Sequence, residues 1–138
     1  MPERFLPDEE ATEALGAELA RRTPPGGTWL LEGDLGAGKT TWTRGFVGGC
    51  GGDPEQVASP TYAVLHRYCG AEGRVFHLDL YRLGAGGAWS LGLEEDLRPQ
   101  DRLVVEWAGP DGPWPTEWVA MLRLEREGEG RKASWLEP

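Results

Sequence analysis

The spacing of apolar residues in the first part of the chain predicts a helix, a buried strand and a second helix. In residues 8–22, apolar or small side chains recur on one face of a helical period of about 3.6 residues. Pro7 and Asp8 supply a start signal, and the Pro-Gly-rich run at 23–27 supplies a stop. The short apolar run Thr28–Glu32 predicts a buried strand, and residues 40–47 predict a helix that ends at the glycines of 48–52.

The rest of the chain is patterned mainly for strands. Residues 62–68 and 74–80 predict an antiparallel hairpin, and residues 102–107 predict a strongly buried strand. Residues 89–97 indicate a short, broken helix, while 118–125 and 132–136 indicate a closing hairpin. The sum is an α/β fold, a single domain over residues 1–138, with a mixed central sheet flanked by few helices.

Composition narrows the class of protein. The 138 residues carry 14 basic and 23 acidic side chains, a formal net charge of −9, which disfavours a protein that grips nucleic acid by itself. The sequence contains no targeting segment and no apolar run of about 18 residues, so we expect a cytoplasmic protein without a membrane contact. Cys50 and Cys69 lack metal-ligand spacing and are expected to be reduced thiols. The six tryptophans other than Trp107 are expected to pack by default, and among them Trp114, between two prolines, is a candidate for an exposed contact.

The most informative motif lies between the predicted strand and the second helix. The sequence GDLGAGKT at 33–40 matches the phosphate-loop pattern G-x-x-x-x-G-K-[ST]. Its glycines let backbone N–H groups approach phosphate closely, and the helix that follows favours negative charge at its N-terminus. Lys39 would reach the β- and γ-phosphates, and the Thr40 hydroxyl would bind Mg²⁺. A glycine-rich turn that carries Lys-Thr by chance is the alternative, and the flanking strand and helix disfavour it.

Two predicted strands end in a carboxylate, as expected of the acidic partner in a phosphate-loop site. Asp79 ends the apolar run at 75–79, and Glu106 ends the run at 103–106. Taken alone, each acid could equally be functional or a solvent-facing residue at a strand end. Two such acids in one small chain with a phosphate loop predict that at least one is functional. His77 shares a strand face with Asp79, because alternate residues point the same way. For His77 alone, a core position is the more frequent outcome.

Four further residues have both a functional and a structural interpretation. Ser59 and Thr61 follow a glycine-rich connection, where a hydroxyl can meet Mg²⁺ or a γ-phosphate and order the loop; a plain turn before a strand is the alternative. Arg82 could pair with a phosphate or with a carboxylate. Trp107 follows Glu106 directly, and its ring could stack on a base or a partner, or fill the core.

Four motifs, in this order and spacing, resemble the TsaE family (also called YjeE): GDLGAGKTT at 33–41, SPTY at 59–62, HLDLYR at 77–82 and VEW at 105–107. The resemblance implies a P-loop NTPase fold and a bacterial ATPase that uses ATP and Mg²⁺. Such an enzyme is needed for threonylcarbamoylation of the tRNA adenosine next to the anticodon (t6A). It implies that TsaD and TsaB are the partners and that tRNA is met only through their complex.

The resemblance also implies roles for particular residues. Thr40 and Glu106 would be the Mg²⁺ ligands, and Asp79, Glu106 and Lys39 the catalytic set. Nucleotide contacts, together with Thr61 from the loop above, would fall on Glu9, Gly36, Ala37, Gly38, Lys39, Thr40, Thr41, Trp107 and Gly109. No arginine finger is evident in the sequence, so we expect slow hydrolysis without partners. A small-molecule kinase and a nucleotide-gated binding module without catalysis remain the alternatives.

Overall fold

The computed structural model describes residues 1–34, 36–57, 64–81, 83, 87–107 and 112–138. Within these ranges the helices are α1 (Glu9–Arg22), α2 (Lys39–Gly49) and α3 (Leu93–Asp96). The strands are β1 (Glu3–Leu6), β2 (Thr28–Glu32), β3 (Leu65–Cys69), β4 (Arg74–Asp79), β5 (Arg102–Glu106), β6 (Val119–Glu127) and β7 (Gly130–Leu136). Short 3₁₀ turns lie at Pro54–Gln56 and Gly87–Leu91.

The strands form one mixed sheet in the order β1-β7-β6-β2-β5-β4-β3. Strand β2 is parallel to both of its neighbours, β5 and β6, and β4 is parallel to β5. The remaining pairs are antiparallel. The four mutually parallel strands therefore end on one side of the sheet, here called the carboxyl edge, and begin on the other, the amino edge. The carboxyl edge is where open α/β sheets bind ligands.

The sheet is covered on both faces, as the alternation along its central strands requires. Trp29 and Leu31 of β2 point into a core shared with α1 and α2, while Leu30 between them points into a second core shared with α3. Strand β5 repeats the pattern, with Val104 on the α1–α2 face. Side chains that follow the same alternation to the ends of β4 and β5 therefore face the α1–α2 side of the sheet.

Glycines let α1 and α2 pack in direct backbone contact. A Cβ on Gly45 would lie 1.8 Å from the carbonyl oxygen of Glu13, and one on Gly16 would lie 2.1 Å from that of Trp42. A side chain at either position would therefore force the helices apart. Near their N-termini, a Cβ on Gly38 would be 3.5 Å from the methyl group of Thr12. The close packing thus brings the start of α1 beside the start of α2.

Most of the predicted elements are confirmed, including the two hairpins, the buried strand β5 and the broken helix at 87–96. Asp8 caps α1 through its side chain, which accepts a hydrogen bond of 2.8 Å from the N–H of Ala11. Helix α2 runs to Gly49, beyond the predicted end at residue 47, because Gly49 packs against Ala17 and Ala20 of α1. Residues 62 and 63 of the predicted third strand lie outside the described ranges.

Three expectations from the sequence are corrected. Strand β1 was not predicted, because four residues with two charges carry little strand signal; pairing with the antiparallel β7 makes the strand. Trp114 is partly buried against the core shared with α3 rather than an exposed contact. Trp89, expected to pack, is 56% exposed. None of the helices in the described ranges has the length and apolar character needed to cross a membrane.

Candidate functional site

The loop between β2 and α2 has a backbone that only glycines adopt easily. Gly36 and Gly38 have φ angles of +79° and +103°. A Cβ on Gly33 would lie 2.6 Å from the carbonyl oxygen of Leu124, so β6 leaves no room for a side chain there. Gly38 is the N-cap of α2 and offers no side chain to its first N–H groups. These donors remain available to an anion at the helix N-terminus.

A cavity of about 600 Å³ opens above this loop at the carboxyl edge. Its walls come from the loop, from the ends of β4 and β5, from the start of α1 and from the turn between β6 and β7. The lining residues are Leu6, Pro7, Asp8, Glu9, Thr12, Gly36, Gly38, Lys39, Thr40, Thr41, Asp79, Glu106, Trp107, Glu129, Gly130 and Arg131. Residues remote in sequence are thus gathered around one space large enough for a small-molecule ligand.

Lys39, the first residue of α2, places a buried cation at the floor of this cavity. Its Nζ donates a hydrogen bond of 2.6 Å to the carbonyl oxygen of Gly33 and lies 3.8 Å from Oε1 of Glu106. The same Nζ lies 4.0 Å from the ring centroid of Trp107. Burial lowers the pKa of Lys39, although the carboxylates of Glu106 and Asp79 act to raise it. An anion entering the cavity would offset this desolvation.

Glu106 ends β5 and is only 4% exposed. Its Oε2 lies 2.5 Å from Nε2 of His77 on the neighbouring strand β4. The other carboxylate oxygen, Oε1, is the one nearest Lys39. His77 is fully buried, and its Nδ1 has no hydrogen-bond partner among the described residues.

Asp79 lies beside Glu106, because their Cα atoms are register partners in the parallel pair β4–β5. Its Oδ1 accepts a hydrogen bond of 3.0 Å from the N–H of Tyr81, which fixes the carboxylate at the strand end. The exposed ring of Tyr81 packs at 5.0 Å from that of Trp107. Among the described residues, Trp107 is the non-glycine residue with a positive φ, at 62°. Such a conformation costs about 1–2 kcal/mol, and residues of this kind cluster at functional sites.

The oxygen donors at this end of the cavity fit a magnesium ion. Thr40 offers a hydroxyl, Glu106 offers the carboxylate oxygen that His77 leaves free, and both residues line the cavity. Mg²⁺ in nucleotide sites is held by one or two protein oxygens together with phosphate and water. In the described part of the chain no three His, Cys, Asp or Glu side chains cluster as a metal cage. The fit is therefore to a metal shared with phosphate rather than to a fully protein-bound ion.

The structure brings together most of the residues predicted from the sequence. Those that line the cavity are Glu9, Gly36, Gly38, Lys39, Thr40, Thr41, Asp79, Glu106 and Trp107. Ala37 is 1% exposed beneath the loop, where its N–H donates a hydrogen bond of 3.0 Å to the carbonyl of Asp34. The predictions for Ser59, Thr61, Arg82 and Gly109 concern residues outside the described ranges. The roles assigned to all of these residues stay predictions.

Arg131, at the start of β7, is a site residue that the sequence did not indicate. Its Nε donates to the carbonyl of Ala37 at 3.2 Å, and its Nη2 donates to that of Gly36 at 2.9 Å. The guanidinium therefore fixes the orientation of two peptide planes of the loop. From the sequence alone, a charged residue beside a hairpin turn is expected to be a solvated surface group. The contact becomes visible only once β7 is seen to pair with β6.

The sheet order, the glycine loop and the acidic strand ends define the P-loop NTPase fold. Within that class, a family model described as "Threonylcarbamoyl adenosine biosynthesis protein TsaE" matches residues 6–133. The chain belongs to the TsaE family, and the resemblance predicted from the four motifs is confirmed. The family takes part in the biosynthesis of t6A in tRNA.

Relatives and a solved structure agree with this assignment. The tRNA threonylcarbamoyladenosine biosynthesis protein TsaE of Nostoc sp. is 45% identical over 144 residues, covering 100% of this chain and 86% of the relative. The protein of the same name from Synechocystis sp. is 40% identical over 124 residues, covering 87% and 71%. The crystal structure of Bacillus subtilis YdiB superimposes with a TM-score of 0.73 at 29% identity, covering 97% of this chain and 83% of YdiB.

Proposed function

We propose that this chain is a Mg²⁺-dependent ATPase that supports t6A formation by acting on the cytoplasmic complex of TsaB and TsaD. One observation carries the proposal: Lys39, Asp79 and Glu106 meet the glycine loop in a single cavity at the carboxyl edge, in a chain of the TsaE family. Membership of the family supports the role in t6A formation, and the residues of the cavity support ATP hydrolysis.

Phosphate binding follows from the loop and from Lys39. The uncapped N-terminus of α2 presents backbone N–H groups and the positive end of a helix dipole. Lys39 exchanges its contact with the Gly33 carbonyl for the β- and γ-phosphate oxygens of ATP. Arg131 keeps the loop carbonyls turned toward itself while the phosphates bind.

Hydrolysis requires an oriented water and a stabilised leaving group. The water oxygen forms a bond to the γ-phosphorus, the bond from that phosphorus to the bridging oxygen breaks, and ADP, phosphate and a proton are released. Asp79 commits Oδ1 to the N–H of Tyr81, which leaves Oδ2 to accept a hydrogen bond from the water. Mg²⁺, held by Thr40 and Glu106, would neutralise charge that develops between the β- and γ-phosphates.

A dependence on partners is consistent with the charges around the loop. Among the described residues, Arg131 is the arginine that lines the cavity, and its guanidinium already binds backbone carbonyls. Arg126 also lies against the loop, where its Nη2 would be 2.7 Å from a Cβ on Gly36, but it does not line the cavity. An arginine or a water-orienting group supplied in trans accelerates such reactions by about 10³–10⁵-fold. The net charge of −9 also supports the proposal that the partner complex, rather than this chain, contacts tRNA.

The test is t6A formation on an unmodified tRNA by TsaB and TsaD, supplied with an activated threonylcarbamoyl donor, with and without this chain. We expect multiple turnovers only when the chain and ATP are present. Asp79→Ala is expected to keep ATP binding and to lose turnover, whereas Glu125→Ala, which removes an exposed carboxylate outside the cavity, should behave like the wild type.

Three other outcomes would contradict the proposal. Fast hydrolysis by the isolated chain, unchanged by TsaB and TsaD, would remove the dependence on partners. A phosphorylated small molecule recovered from a substrate screen would indicate a kinase instead. Full modification by the Asp79→Ala variant would indicate a nucleotide-gated module in which hydrolysis has no role.

A further inference from the structure

We propose that His77 is a positioning residue for Glu106. In this arrangement His77 holds one carboxylate oxygen of Glu106 so that the other faces the cavity as a Mg²⁺ ligand. The inference rests on the proposed function, because it gives Glu106 the metal role assigned there. Neither the family match nor the names of the relatives assigns His77 this role.

The geometry of the sheet places the two residues in contact. His77 and Val104 are register partners in β4 and β5, and Glu106 lies two residues beyond Val104 on the same face. That face is the one covered by α1 and α2, so both side chains are shielded from solvent. The contact of 2.5 Å between Nε2 and Oε2 joins a fully buried imidazole to a carboxylate that is 4% exposed.

The surroundings of the imidazole fix where its proton lies. A carboxylate oxygen only accepts hydrogen bonds, so the contact with Glu106 requires the proton on Nε2. Nδ1 has no partner in the described ranges, and a second proton there would bury an N–H without an acceptor. The geometry therefore directs an Nε2–H donor at Glu106.

The competing partner of Glu106 explains why this donor matters. Lys39 lies 3.8 Å from Oε1, close enough to draw the carboxylate into a tight ion pair. With Oε2 held by His77, the carboxylate cannot turn both oxygens toward the amine. Loss of that hydrogen bond would let Glu106 and Lys39 neutralise each other, which removes a metal ligand and a phosphate ligand together. Partners of metal ligands commonly act in this way.

Two amide substitutions separate positioning from packing. The amide nitrogen of Gln reaches the location of Nε2, whereas that of Asn reaches only the location of Nδ1, so His77→Gln keeps the donor to Glu106 and His77→Asn loses it. The probe is the fluorescent nucleotide mant-ADP, titrated with MgCl₂ and separately in EDTA. His66→Gln is the matched control, because His66 is the cross-strand neighbour of His77 on β3 and makes no hydrogen bond to Glu106 in the part of the chain that the structure describes.

We expect His77→Asn to raise the half-saturating Mg²⁺ concentration by about 10–100-fold, with His77→Gln within about threefold of wild type. In EDTA, affinity for mant-ADP should also fall in His77→Asn, because Lys39 is then paired with Glu106, and should stay near the wild-type value in His77→Gln. Equal Mg²⁺ dependence in the Asn and Gln variants would overturn the inference while leaving the proposed function intact. A wild-type chain that binds mant-ADP without any influence of Mg²⁺ would overturn both.

A second measurement uses the wild-type chain and does not depend on a variant that folds. Long-range ¹H–¹⁵N NMR spectra of the imidazoles distinguish Nε2–H from Nδ1–H tautomers. We expect the Nε2–H form at His77, with resonances that shift when MgCl₂ is added in the presence of ADP. An Nδ1–H tautomer, or resonances indifferent to MgCl₂, would overturn the inference.

Discussion

Charged side chains lie at both ends of the central strands, but they are fully paired at one end and incompletely paired at the other. At the amino edge, Asp101 accepts hydrogen bonds from the backbone N–H of Arg74 at 2.9 Å and from its Nη2 at 2.7 Å. The N–H of Arg98 adds a third hydrogen bond, of 2.8 Å. Asp96 pairs with both Arg67 and Arg74. We call Arg67, Arg74, Asp96 and Asp101 the amino-edge cluster. Each of these four charged side chains has a close partner of opposite sign.

The carboxyl-edge cluster, made of Lys39, His77 and Glu106, is incompletely paired. Lys39 has its nearest carboxylate oxygen in the described ranges at 3.8 Å, and burial lowers its pKa. Nδ1 of His77 has no hydrogen-bond partner among the described residues, and the backbone of Trp107 is left-handed. These features cost stability, and they lie where a nucleotide would bind.

The pKa directions express the same difference. At the amino edge, the hydrogen bonds that Arg74 donates to the carboxylates of Asp101 and Asp96 raise its pKa. Burial acts to raise the pKa of Asp101, but its hydrogen bonds prevail and the pKa lies below the ordinary value. Charge is therefore favoured by folding at one edge and penalised at the other, at Lys39. We infer that the amino edge stabilises the fold and that the carboxyl edge is reserved for a ligand.

Asp101→Ala should have the largest effect on stability. Removing one partner of a buried ion pair costs about 3–5 kcal/mol, because Arg74 is left without its main acceptor. Urea unfolding measures this loss, and the affinity of the folded variant for mant-ADP should stay that of the wild type. Asp96→Ala, at a position where the side chain is 30% exposed, is expected to cost less. Equal losses would show that burial at the amino edge does not set the size of the effect.

Lys39→Ala should have the opposite profile. Loss of the cation that we propose to bind phosphate is expected to weaken ATP binding by about 100-fold or more, in line with the loss of a preorganised donor. The free energy of unfolding should fall much less than in Asp101→Ala, because folding disfavours the charged form of Lys39. Lys39→Met, which keeps the aliphatic stem, separates charge from packing. Destabilisation by Lys39→Met as large as that of Asp101→Ala would abolish the contrast between the two edges.

Local sequence signals were sufficient for the parts of the site that are continuous in sequence. The phosphate loop needs only glycines, Lys39 and Thr40 at fixed spacing, and the flanking β2 and α2 follow from their apolar patterns. Asp79 and Glu106 were found because each ends an apolar run. That both carboxylates adjoin one cavity also follows from the parallel order of β4 and β5.

The parts that escaped prediction depend on contacts between distant segments. The pairing of His77 with Glu106 depends on the register of β4 on β5. The hydrogen bonds from Arg131 to the loop carbonyls depend on the pairing of β7 with β6. Strand β1 exists because β7 offers it a partner. The left-handed backbone of Trp107 has no sequence signal, because the residue type normally avoids it. Such features arise from tertiary structure rather than from local propensity.

Lowering the pH should also destabilise the fold through Asp101, but by less than the substitution Asp101→Ala does. The folded-state pKa of Asp101 lies below the unfolded value, which is about 3.9. Its stabilisation is therefore complete above that unfolded value and is lost as the pH falls through the folded pKa, at about 1.4 kcal/mol per unit of difference. Urea unfolding of wild type and Asp101→Asn from about pH 6 to 3 should show the gap between them narrowing. A constant gap would contradict this role for the carboxylate.

The smallest effect expected is on the backbone at Trp107. Trp107→Ala and Trp107→Gly remove the same ring contacts to Lys39 and Tyr81, but only glycine adopts a φ of 62° without a steric penalty. The penalty for a left-handed residue is about 1–2 kcal/mol, and the greater freedom of glycine in the unfolded chain offsets part of it. Trp107→Gly should therefore be more stable than Trp107→Ala by about 1 kcal/mol or less in thermal or urea unfolding. Both variants should lose nucleotide affinity alike, since both lack the ring beside Lys39. If Trp107→Ala proved as stable as Trp107→Gly, the strain assigned to the carboxyl edge would be absent, and the contrast between the edges would rest on Lys39 and His77 alone.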